Sequence, residues 1–168
     1  MASKAVFFDR DGVLNIDHGY TYKIADLEWM PGAKEAVAYL TKLGYKIFVV
    51  TNQSGIARGF YTVADMEKLH AYMEQELEKA GGEITKFYYC PHHPTKGIIP
   101  ELTIKCNCRK PAPGMILQAF AEYDLDKQQS LMIGDMPKDL EAAKAAGIPG
   151  YRFPGGNLWK FVQSIVEK

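Results

Sequence analysis

The sequence predicts an α/β domain in which helices cover both faces of a parallel sheet. Of the 168 residues, 47% are apolar and 24% are charged, which is ordinary for a globular protein. Short apolar runs alternate with segments of helical periodicity along the whole chain. Such alternation is typical of parallel strands that are joined by helices. The length favours a single domain, residues 1–168.

Each predicted element follows from a local pattern. The predicted strands are short apolar runs at 4–8, 46–50, 84–89, 130–133 and 151–153. The predicted helices carry apolar residues at helical spacing and cover 32–43, 62–80, 113–123, 138–146 and 157–166. Thr62 followed by Asp65 has the spacing of a capping box at the start of the second helix. Gly44 and Gly147 stand where a glycine ends a helix.

The charge balance and hydropathy exclude several classes of protein. Twenty Lys and Arg residues balance twenty Asp and Glu residues, which argues against a general polyanion binder. No apolar run approaches the ~20 residues that cross a bilayer, and residues 5–8 are too few for the core of a signal peptide. We therefore expect a cytoplasmic monomer that binds neither nucleic acid nor a membrane.

Polar residues follow three of the predicted strands. The segments 9–15, 51–54 and 134–135 should converge, because ligands of such sheets bind beyond the carboxyl ends of the strands. Asp9 and Asp11 repel each other unless a cation or a shared proton lies between them. Mg²⁺ suits two carboxylates and a substrate phosphate, and Asp135 could supply another oxygen. A calcium-like loop or a plain turn remains an alternative for Asp-x-Asp-Gly.

Four strings carry a family resemblance. DRDGVLN, TNQSG, CRKP and GDMPKD occur in the order and spacing of the haloacid dehalogenase superfamily of phosphatases, over residues 5 to about 150. FFDRDGVLNIDHGY, VVTNQSGIARG, YYCPHHP and CNCRKPAPGM resemble its small-cap branch, which acts on heptose 1,7-bisphosphate or histidinol phosphate. The resemblance implies a Rossmann-like sheet with a small or absent cap and an inserted zinc-binding loop.

The resemblance also implies roles for individual residues. Asp9 is the nucleophile that forms an aspartyl phosphate, and Asp11 is the general acid and base. Thr51 and Lys110 donate hydrogen bonds to the phosphoryl oxygens. Mg²⁺ is bound by Asp9, the backbone carbonyl of Asp11, and Asp135. The implied substrate-binding residues are Asp17, His18, Gly19, Tyr20, Thr51, Asn52, Gln53, Ser54, Arg109 and Lys110.

The cysteines form a second candidate metal site. Cys90 and His92 are followed by Cys106 and Cys108, which gives four ligands typical of tetrahedral Zn²⁺. An odd number of cysteines without a secretion signal argues against a disulfide framework. The alternatives are free buried cysteines or a redox pair. His93 competes with His92 as the fourth ligand, and the resemblance favours His92.

The zinc site has an expected purpose. A loop as long as residues 90–109 is uncommon in a compact domain unless it has a function. Zinc would hold this loop in place, and Arg109 and Lys110 follow the last ligand directly. We therefore expect zinc to position both cations at the phosphate site.

Three residues have open roles. Asp139 either orients the metal site or simply favours the helix dipole from the first turn. Members of the superfamily often carry Lys directly after the metal-binding aspartate, whereas this chain has Met136 there, which removes one phosphate contact. Arg58 is a candidate for a second phosphate, with a solvated loop charge as the favoured alternative.

The implied reaction is the Mg²⁺-dependent removal of the C7 phosphate from D-glycero-D-manno-heptose 1,7-bisphosphate. It would serve the supply of nucleotide-activated heptose for lipopolysaccharide. One alternative is a histidinol-phosphate phosphatase of histidine biosynthesis. Another is a zinc-stabilised binding module without turnover, against which the neutral charge and the complete set of site residues argue.

Overall fold

Parallel strands form the centre of the structure, a computed structural model that describes residues 2–167. Within that part of the chain the strands are β1 (Ala5–Phe8), β2 (Lys46–Asn52), β3 (Lys86–Cys90), β4 (Leu131–Gly134) and β5 (Gly150–Arg152). Their order in the sheet is β3-β2-β1-β4-β5, and every neighbouring pair is parallel. The predicted α/β class is confirmed.

The helices follow the predicted pattern, with end points that differ by a residue or two. They are α1 (Ala33–Lys42), α2 (Val63–Lys79), α3 (Gly114–Glu122), α4 (Pro137–Ala145) and α5 (Leu158–Val166). The capping box of α2 is present, with Asp65 N donating to Thr62 Oγ1 at 3.1 Å and Thr62 N donating to Asp65 Oδ2 at 3.0 Å. Gly44 and Gly147 both have positive φ, as expected of residues that end a helix. Short 3₁₀ turns at Ile24–Asp26, Pro100–Leu102 and Lys127–Gln129 were not predicted.

The sheet separates two apolar layers. Along β1, Val6 and Phe8 face one layer with α1, α2 and α5, while Ala5 and Phe7 face the other with α3 and α4. All four residues of β1 have no solvent exposure. A strand buried on both faces is an apolar run without alternation, which is the pattern that predicted it. Polar residues therefore begin where β1 ends, at Asp9.

The longest connection runs from β3, which ends at Cys90, to α3, and it carries the other two cysteines and two of the histidines. It begins beside the carboxyl end of β2, where Gln53 N donates to Cys90 O at 2.7 Å. Among residues 2–167, none of the helices combines the length and the apolar character needed to span a membrane.

Candidate active site

A cleft opens at the carboxyl edge of the sheet, where the loops after β1, β2 and β4 meet. It has a volume of about 370 Å³, which lies within the range of small-molecule sites. It is lined by Asp9, Asp11, Asp17, Gly19, Tyr20, Thr51, Asn52, Gln53, Ser54, Tyr61, Arg109, Lys110, Asp135, Met136 and Lys138. The three segments that were expected to converge therefore do converge.

Three carboxylates lie close together at this edge of the sheet; Asp9 and Asp135 line the cleft, and Asp139 is fully buried. Oxygens of Asp9, Asp135 and Asp139 lie within 4.8 Å of one another. Burial raises the pKa of Asp9 to about 7, although the Lys110 ammonium opposes this shift. Burial also raises the pKa of Asp135. The cluster is thus a place where additional positive charge would be stabilising.

The two oxygens of Asp9 have different surroundings. Oδ1 accepts hydrogen bonds from Lys110 Nζ at 2.8 Å and from Arg10 N at 2.9 Å. Within residues 2–167, Oδ2 receives no such bond from a nitrogen or hydroxyl donor. Oδ2 is therefore the oxygen of Asp9 that is available to react.

The residues present fit a magnesium ion. Asp135 Oδ1 is buried and meets no hydrogen-bond partner within the described chain, which is costly for a carboxylate unless a cation binds it. Gly12 leaves room for this carboxylate, because a Cβ on Gly12 would overlap Asp135 Oδ2. Hard carboxylate oxygens are the ligands that Mg²⁺ prefers. The side chain of Asp11 is not part of this cluster, so its predicted contribution through the backbone carbonyl stays a prediction.

Lys110 supplies the positive charge that the cluster already contains. Its buried ammonium lies 2.8 Å from Asp9 Oδ1, 2.7 Å from Asp139 Oδ1 and 2.8 Å from Val50 O. Burial alone would lower the pKa of Lys110, but the two carboxylates outweigh it and raise that pKa. The ammonium therefore donates hydrogen bonds to Asp9 Oδ1 and Val50 O and forms an ion pair with Asp139. A phosphoryl oxygen must share the ammonium with these groups.

The backbone of Lys110 is held from β2. Asn52 Nδ2 donates to Lys110 O at 3.2 Å, and Lys110 N donates to Asn52 Oδ1 at 3.0 Å. This pair of bonds fixes the end of the long β3–α3 connection against the sheet.

Asp139 has contacts that go beyond the two roles predicted for it, orienting the metal site and favouring the helix dipole. It has no solvent exposure, and one of its oxygens pairs with Lys110. Its Oδ2 accepts a hydrogen bond from Met136 N at 3.1 Å, which fixes the turn after Asp135. Asp139 therefore connects the ammonium to the loop that carries Asp135.

The carboxylate of Asp11 is held by side chains on three sides. Arg10 Nη2 donates to Asp11 Oδ1 at 2.9 Å, and Asn15 Nδ2 donates to the same oxygen at 3.0 Å. Gln53 Nε2 lies 3.3 Å from Asp11 Oδ2 and also donates to Thr51 Oγ1 at 2.8 Å. Gln53 thus contacts both Asp11, the predicted general acid and base, and Thr51, the predicted hydroxyl donor.

Arg10 is itself fully buried and fixed by two further groups. Its Nη2 donates to Thr21 O at 2.7 Å, and its Nη1 lies 3.1 Å from His70 Nε2. Because a guanidinium can only donate, His70 Nε2 accepts and the imidazole is neutral. Burial and then Arg10 lower the pKa of His70 to about 3. Sequence reasoning missed His70, since a histidine on an apolar helix face gives no signal of such a contact.

The predicted substrate-binding residues divide between the cleft and its surroundings. His18 does not line the cleft, and its Nε2 lies 3.0 Å from Glu28 Oε1 in an exposed pair. Its contact with a substrate stays a prediction. The side chain of Arg109 is half-buried, and its Nη1 donates to His92 O at 3.4 Å. Arg109 and all other residues of this predicted set except His18 line the cleft.

The cysteines and His92 form the second cluster. The Sγ atoms of Cys90 and Cys108 lie 2.8 Å apart, and each lies 3.4 Å from Cys106 Sγ. His92 Nδ1 lies 3.4 Å from Cys90 Sγ and 3.3 Å from Cys108 Sγ. These distances exceed the ~2.05 Å of a disulfide bond, and the cysteines are free.

The donor set of this cluster fits zinc. Three thiols and one imidazole make up a Cys₃His site, a set used by structural zinc. The neighbouring thiols lower the pKa of Cys108 and raise that of Cys90. His93 faces elsewhere, because its Nδ1 accepts hydrogen bonds from Thr95 N and Lys96 N. The geometry thus brings together His92, not His93, with the thiols.

The chain matches a known family over most of its length. The sequence model of the haloacid dehalogenase-like hydrolases matches residues 15–147. The chain belongs to this family. The Rossmann-like fold that was expected from the resemblance is confirmed by a solved structure, the D,D-heptose 1,7-bisphosphate phosphatase from B. bronchiseptica in complex with magnesium and phosphate. The TM-score is 0.80 at 34% identity, over 96% of this chain and 86% of that chain.

Two sequence relatives share one name, D-glycero-beta-D-manno-heptose-1,7-bisphosphate 7-phosphatase. The protein from Rhodopseudomonas palustris is 43% identical over 96% of this chain and 89% of its own length. The protein from Escherichia coli K12 is 44% identical over 86% of this chain and 75% of its own length. The predicted relationship to this branch of the family is confirmed.

Sequence reasoning also missed two residues of the cleft. Tyr61 donates its hydroxyl hydrogen to Gln53 Oε1, and burial raises the pKa of Tyr61, which keeps it a donor. Lys138 lines the cleft from the first turn of α4 and forms no salt bridge with the described residues. A cation is unfavourable at a helix N-terminus, and this was the available signal that Lys138 has a role other than stability.

Proposed function

We propose that this protein is a Mg²⁺-dependent phosphatase that removes the C7 phosphate of D-glycero-D-manno-heptose 1,7-bisphosphate. The observation that carries the proposal is Asp9, which has one oxygen bound by Lys110 and the other without a donor in the described chain, beside the unpartnered oxygen of Asp135. The names of the relatives support the choice of substrate.

In the first step, Asp9 Oδ2 attacks the phosphorus of the C7 phosphate. A bond forms between this oxygen and phosphorus, and the bond from phosphorus to the sugar oxygen breaks. Asp11 gives its proton to the leaving sugar oxygen, so the sugar departs as an alcohol. The product on the enzyme is an aspartyl phosphate at Asp9.

In the second step, water attacks the phosphorus of the aspartyl phosphate. Asp11, now ionised, takes a proton from this water, and the bond between phosphorus and Asp9 breaks. Inorganic phosphate leaves, and both carboxyl groups return to their first states. Arg10, Asn15 and Gln53 keep Asp11 in one orientation through both proton transfers.

The remaining groups stabilise charge. Lys110 and Thr51 bind the phosphoryl oxygens, and Asp139 keeps the Lys110 ammonium beside Asp9. Asp9, Asp135 and the Asp11 carbonyl would hold magnesium, which would supply the positive charge that lets an anion attack a phosphate dianion. Arg109 binds the distal phosphate, for which its planar guanidinium is suited.

The second cluster has a structural role in this proposal. Zinc, held by Cys90, His92, Cys106 and Cys108, closes the loop that ends at Arg109 and Lys110. We place the reaction in a monomeric cytoplasmic protein, in the supply of nucleotide-activated heptose for lipopolysaccharide.

The test is phosphate release in the presence of Mg²⁺, with heptose 1,7-bisphosphate and histidinol phosphate as parallel substrates. We expect a clear preference in kcat/KM for the bisphosphate. Both anomers are assayed, because the relatives are named for the β anomer. Comparable rates on histidinol phosphate would contradict the proposed substrate, and no phosphate release from any ester would contradict the reaction class.

A further inference from the structure

Tyr20 forms part of the wall of the cleft in an unfavourable backbone conformation. Its φ is 52°, and it is the non-glycine residue with positive φ among residues 2–167. Residues other than glycine rarely adopt this backbone conformation unless the surrounding structure holds them there. The ring of Tyr20 lines the cleft and remains 43% exposed. Some neighbouring group must therefore fix its position.

Arg58 is that neighbour. Its Nη1 donates a hydrogen bond to Tyr20 Oη at 2.7 Å. Its guanidinium carbon lies 5.6 Å from the ring centre of Tyr20 and 5.0 Å from that of Phe60, both within cation–π range. The two rings meet edge to face with centres 4.8 Å apart. Arg58 is not among the residues that line the cleft and forms no salt bridge within the described chain.

The turn that carries Arg58 is fixed on both sides. A Cβ on Gly55 would collide with the rings of Tyr61 and Tyr20, so the turn packs closely against the tyrosine. On the other side, Ala57 O accepts hydrogen bonds from Ile98 N at 2.8 Å and from Ile99 N at 3.2 Å. The turn thus connects the wall of the cleft to the loop of the Cys/His cluster.

We propose that Arg58 is a positioning residue that holds Tyr20 against the mouth of the cleft and so selects esters with a sugar leaving group. Arg58 acts through the tyrosine and does not contact the substrate. The tyrosine ring offers an apolar face to the C–H groups of a sugar and a hydroxyl to its polar groups. The inference rests on the proposed function, since it assigns specificity within that same cleft.

The experiment compares Arg58→Ala, Tyr20→Ala and the double variant on heptose 1,7-bisphosphate and on p-nitrophenyl phosphate. We expect R58A to raise KM for the bisphosphate about tenfold, a change of about 1.4 kcal/mol, with kcat within about twofold. The kcat/KM for p-nitrophenyl phosphate should stay within about twofold, because that ester lacks the sugar. The double variant should have the KM of Y20A alone, because R58A acts only through Tyr20.

Two further variants separate positioning from other effects. Arg58→Lys keeps the charge but not the planar group, so it should recover part of the loss. Lys23→Ala removes a cation that lies over the ring of Tyr22 and does not line the cleft, and it should change neither KM. Thermal unfolding of each variant checks that the fold is retained.

Three results would overturn the inference. An unchanged KM in R58A would show that Tyr20 needs no support. Additive effects in the double variant would show that Arg58 contacts the substrate itself. An equal loss on p-nitrophenyl phosphate would place the effect at the reacting phosphate. If the wild type cleaves p-nitrophenyl phosphate but not the bisphosphate, the proposed function fails while the role of Arg58 is still testable. The variants at Arg58 and Tyr20 are then compared on the sugar phosphate that the wild type prefers.

Discussion

The acidic cluster and the Cys/His cluster are both candidate metal sites, but they are assembled in opposite ways. The acidic cluster joins Asp9, after the first strand, to Asp135 and Asp139, after the fourth. The Cys/His cluster takes its four ligands from one stretch of the chain, the last residue of β3 and the loop that follows it. Sheet topology therefore builds the first cluster, whereas ligand spacing along the loop builds the second.

The clusters also differ in how their charges are balanced. The acidic cluster contains Lys110, which pairs with two of its carboxylates, and further hydrogen bonds orient Asp9 and Asp139. In the other cluster the thiols contact one another and His92, and none of the Lys or Arg side chains among residues 2–167 pairs with them. Loss of magnesium should thus remove activity and spare the fold, whereas loss of zinc should affect both.

The largest effect is expected from Asp9→Asn. The amide removes the nucleophile but keeps the shape of the side chain, so turnover should fall at least about a thousandfold while Tm stays within a few degrees. Steady-state phosphate release and thermal unfolding measure both. Asp26→Asn, in the exposed turn at Ile24–Asp26 outside the cleft, is the matched control. Retained activity in D9N would reject the assignment of the nucleophile.

A smaller effect is expected from Cys106→Ser. Loss of one thiolate should lower zinc content and Tm by about 5–10 °C, and activity by about tenfold, because ordering of the loop depends on the metal. The activity loss should fall more on KM than on kcat, since Asn52 still holds Lys110 while Arg109 loses its support.

His93→Asn is the control for this variant, because the asparagine oxygen can replace Nδ1 as the acceptor for Thr95 N and Lys96 N. It should leave zinc content and Tm unchanged. A zinc-free preparation of the wild type that kept its full turnover rate and Tm would contradict the link between zinc and the cleft.

Lys138→Ala tests whether cations from outside the Cys/His loop also bind the substrate. We expect KM for the bisphosphate to rise about three- to tenfold, because an ammonium that lines the cleft without a partner is lost. Tm should hold or rise slightly, since a cation in the first turn of a helix costs about 0.3–1 kcal/mol. Lys144→Ala, exposed in the last turn of α4, should leave KM unchanged. An unaltered KM in K138A would show that Arg109 and Lys110 suffice.

The last effect is on stability and not on turnover, and it concerns His70, which supports the acidic site through Arg10. Its folded-state pKa of about 3 lies below the unfolded value of 6.5, so the unfolded state binds the extra proton as the pH falls below 6.5. The contribution of neutral His70 to the free energy of unfolding is complete above pH 6.5. It is lost toward pH 3, by up to about 1.4 kcal/mol per pH unit.

His70→Gln keeps an acceptor for Arg10 but removes the titration. The free energy of unfolding, measured by urea denaturation between pH 4 and pH 7, should therefore fall less steeply with acid in H70Q than in the wild type. Identical slopes would mean that His70 is not held neutral by burial.

The sequence allowed the fold and the polar edge of the sheet to be predicted for a simple reason. Strands buried on both faces are uninterrupted apolar runs, and Asp9, Thr51 and Asp135 stand at or next to their carboxyl ends. The four ligands of the Cys/His cluster were equally easy to predict, because their spacing along one short stretch of the chain defines them.

The remaining contacts depend on side-chain directions across several elements. Nothing in the sequence indicates that Lys110 bonds to Asp139 and Val50 O, or that Asn52 holds its backbone. The sequence also does not indicate that the His18 side chain pairs with Glu28, and its contact with a substrate stays a prediction. Periodicity and spacing give the path of the chain, and they do not give rotamers.

The long connection after β3 is attached to the sheet at both ends. Gln53 N binds Cys90 O where the connection begins, and Asn52 binds Lys110 where its loop ends. Asn52, at the end of β2, and Gln53, directly after it, thus hold both ends of the connection. Each doubling of the loop length adds only about 0.6 kcal/mol to the entropic cost of closing the loop. Residues between the two zinc-ligand pairs can therefore change in number without displacing the ammonium beside Asp9. For protein engineering, new recognition elements can be grafted into the segment 94–105 onto an unchanged reaction centre, provided that Ile98 and Ile99 keep their hydrogen bonds to Ala57 O.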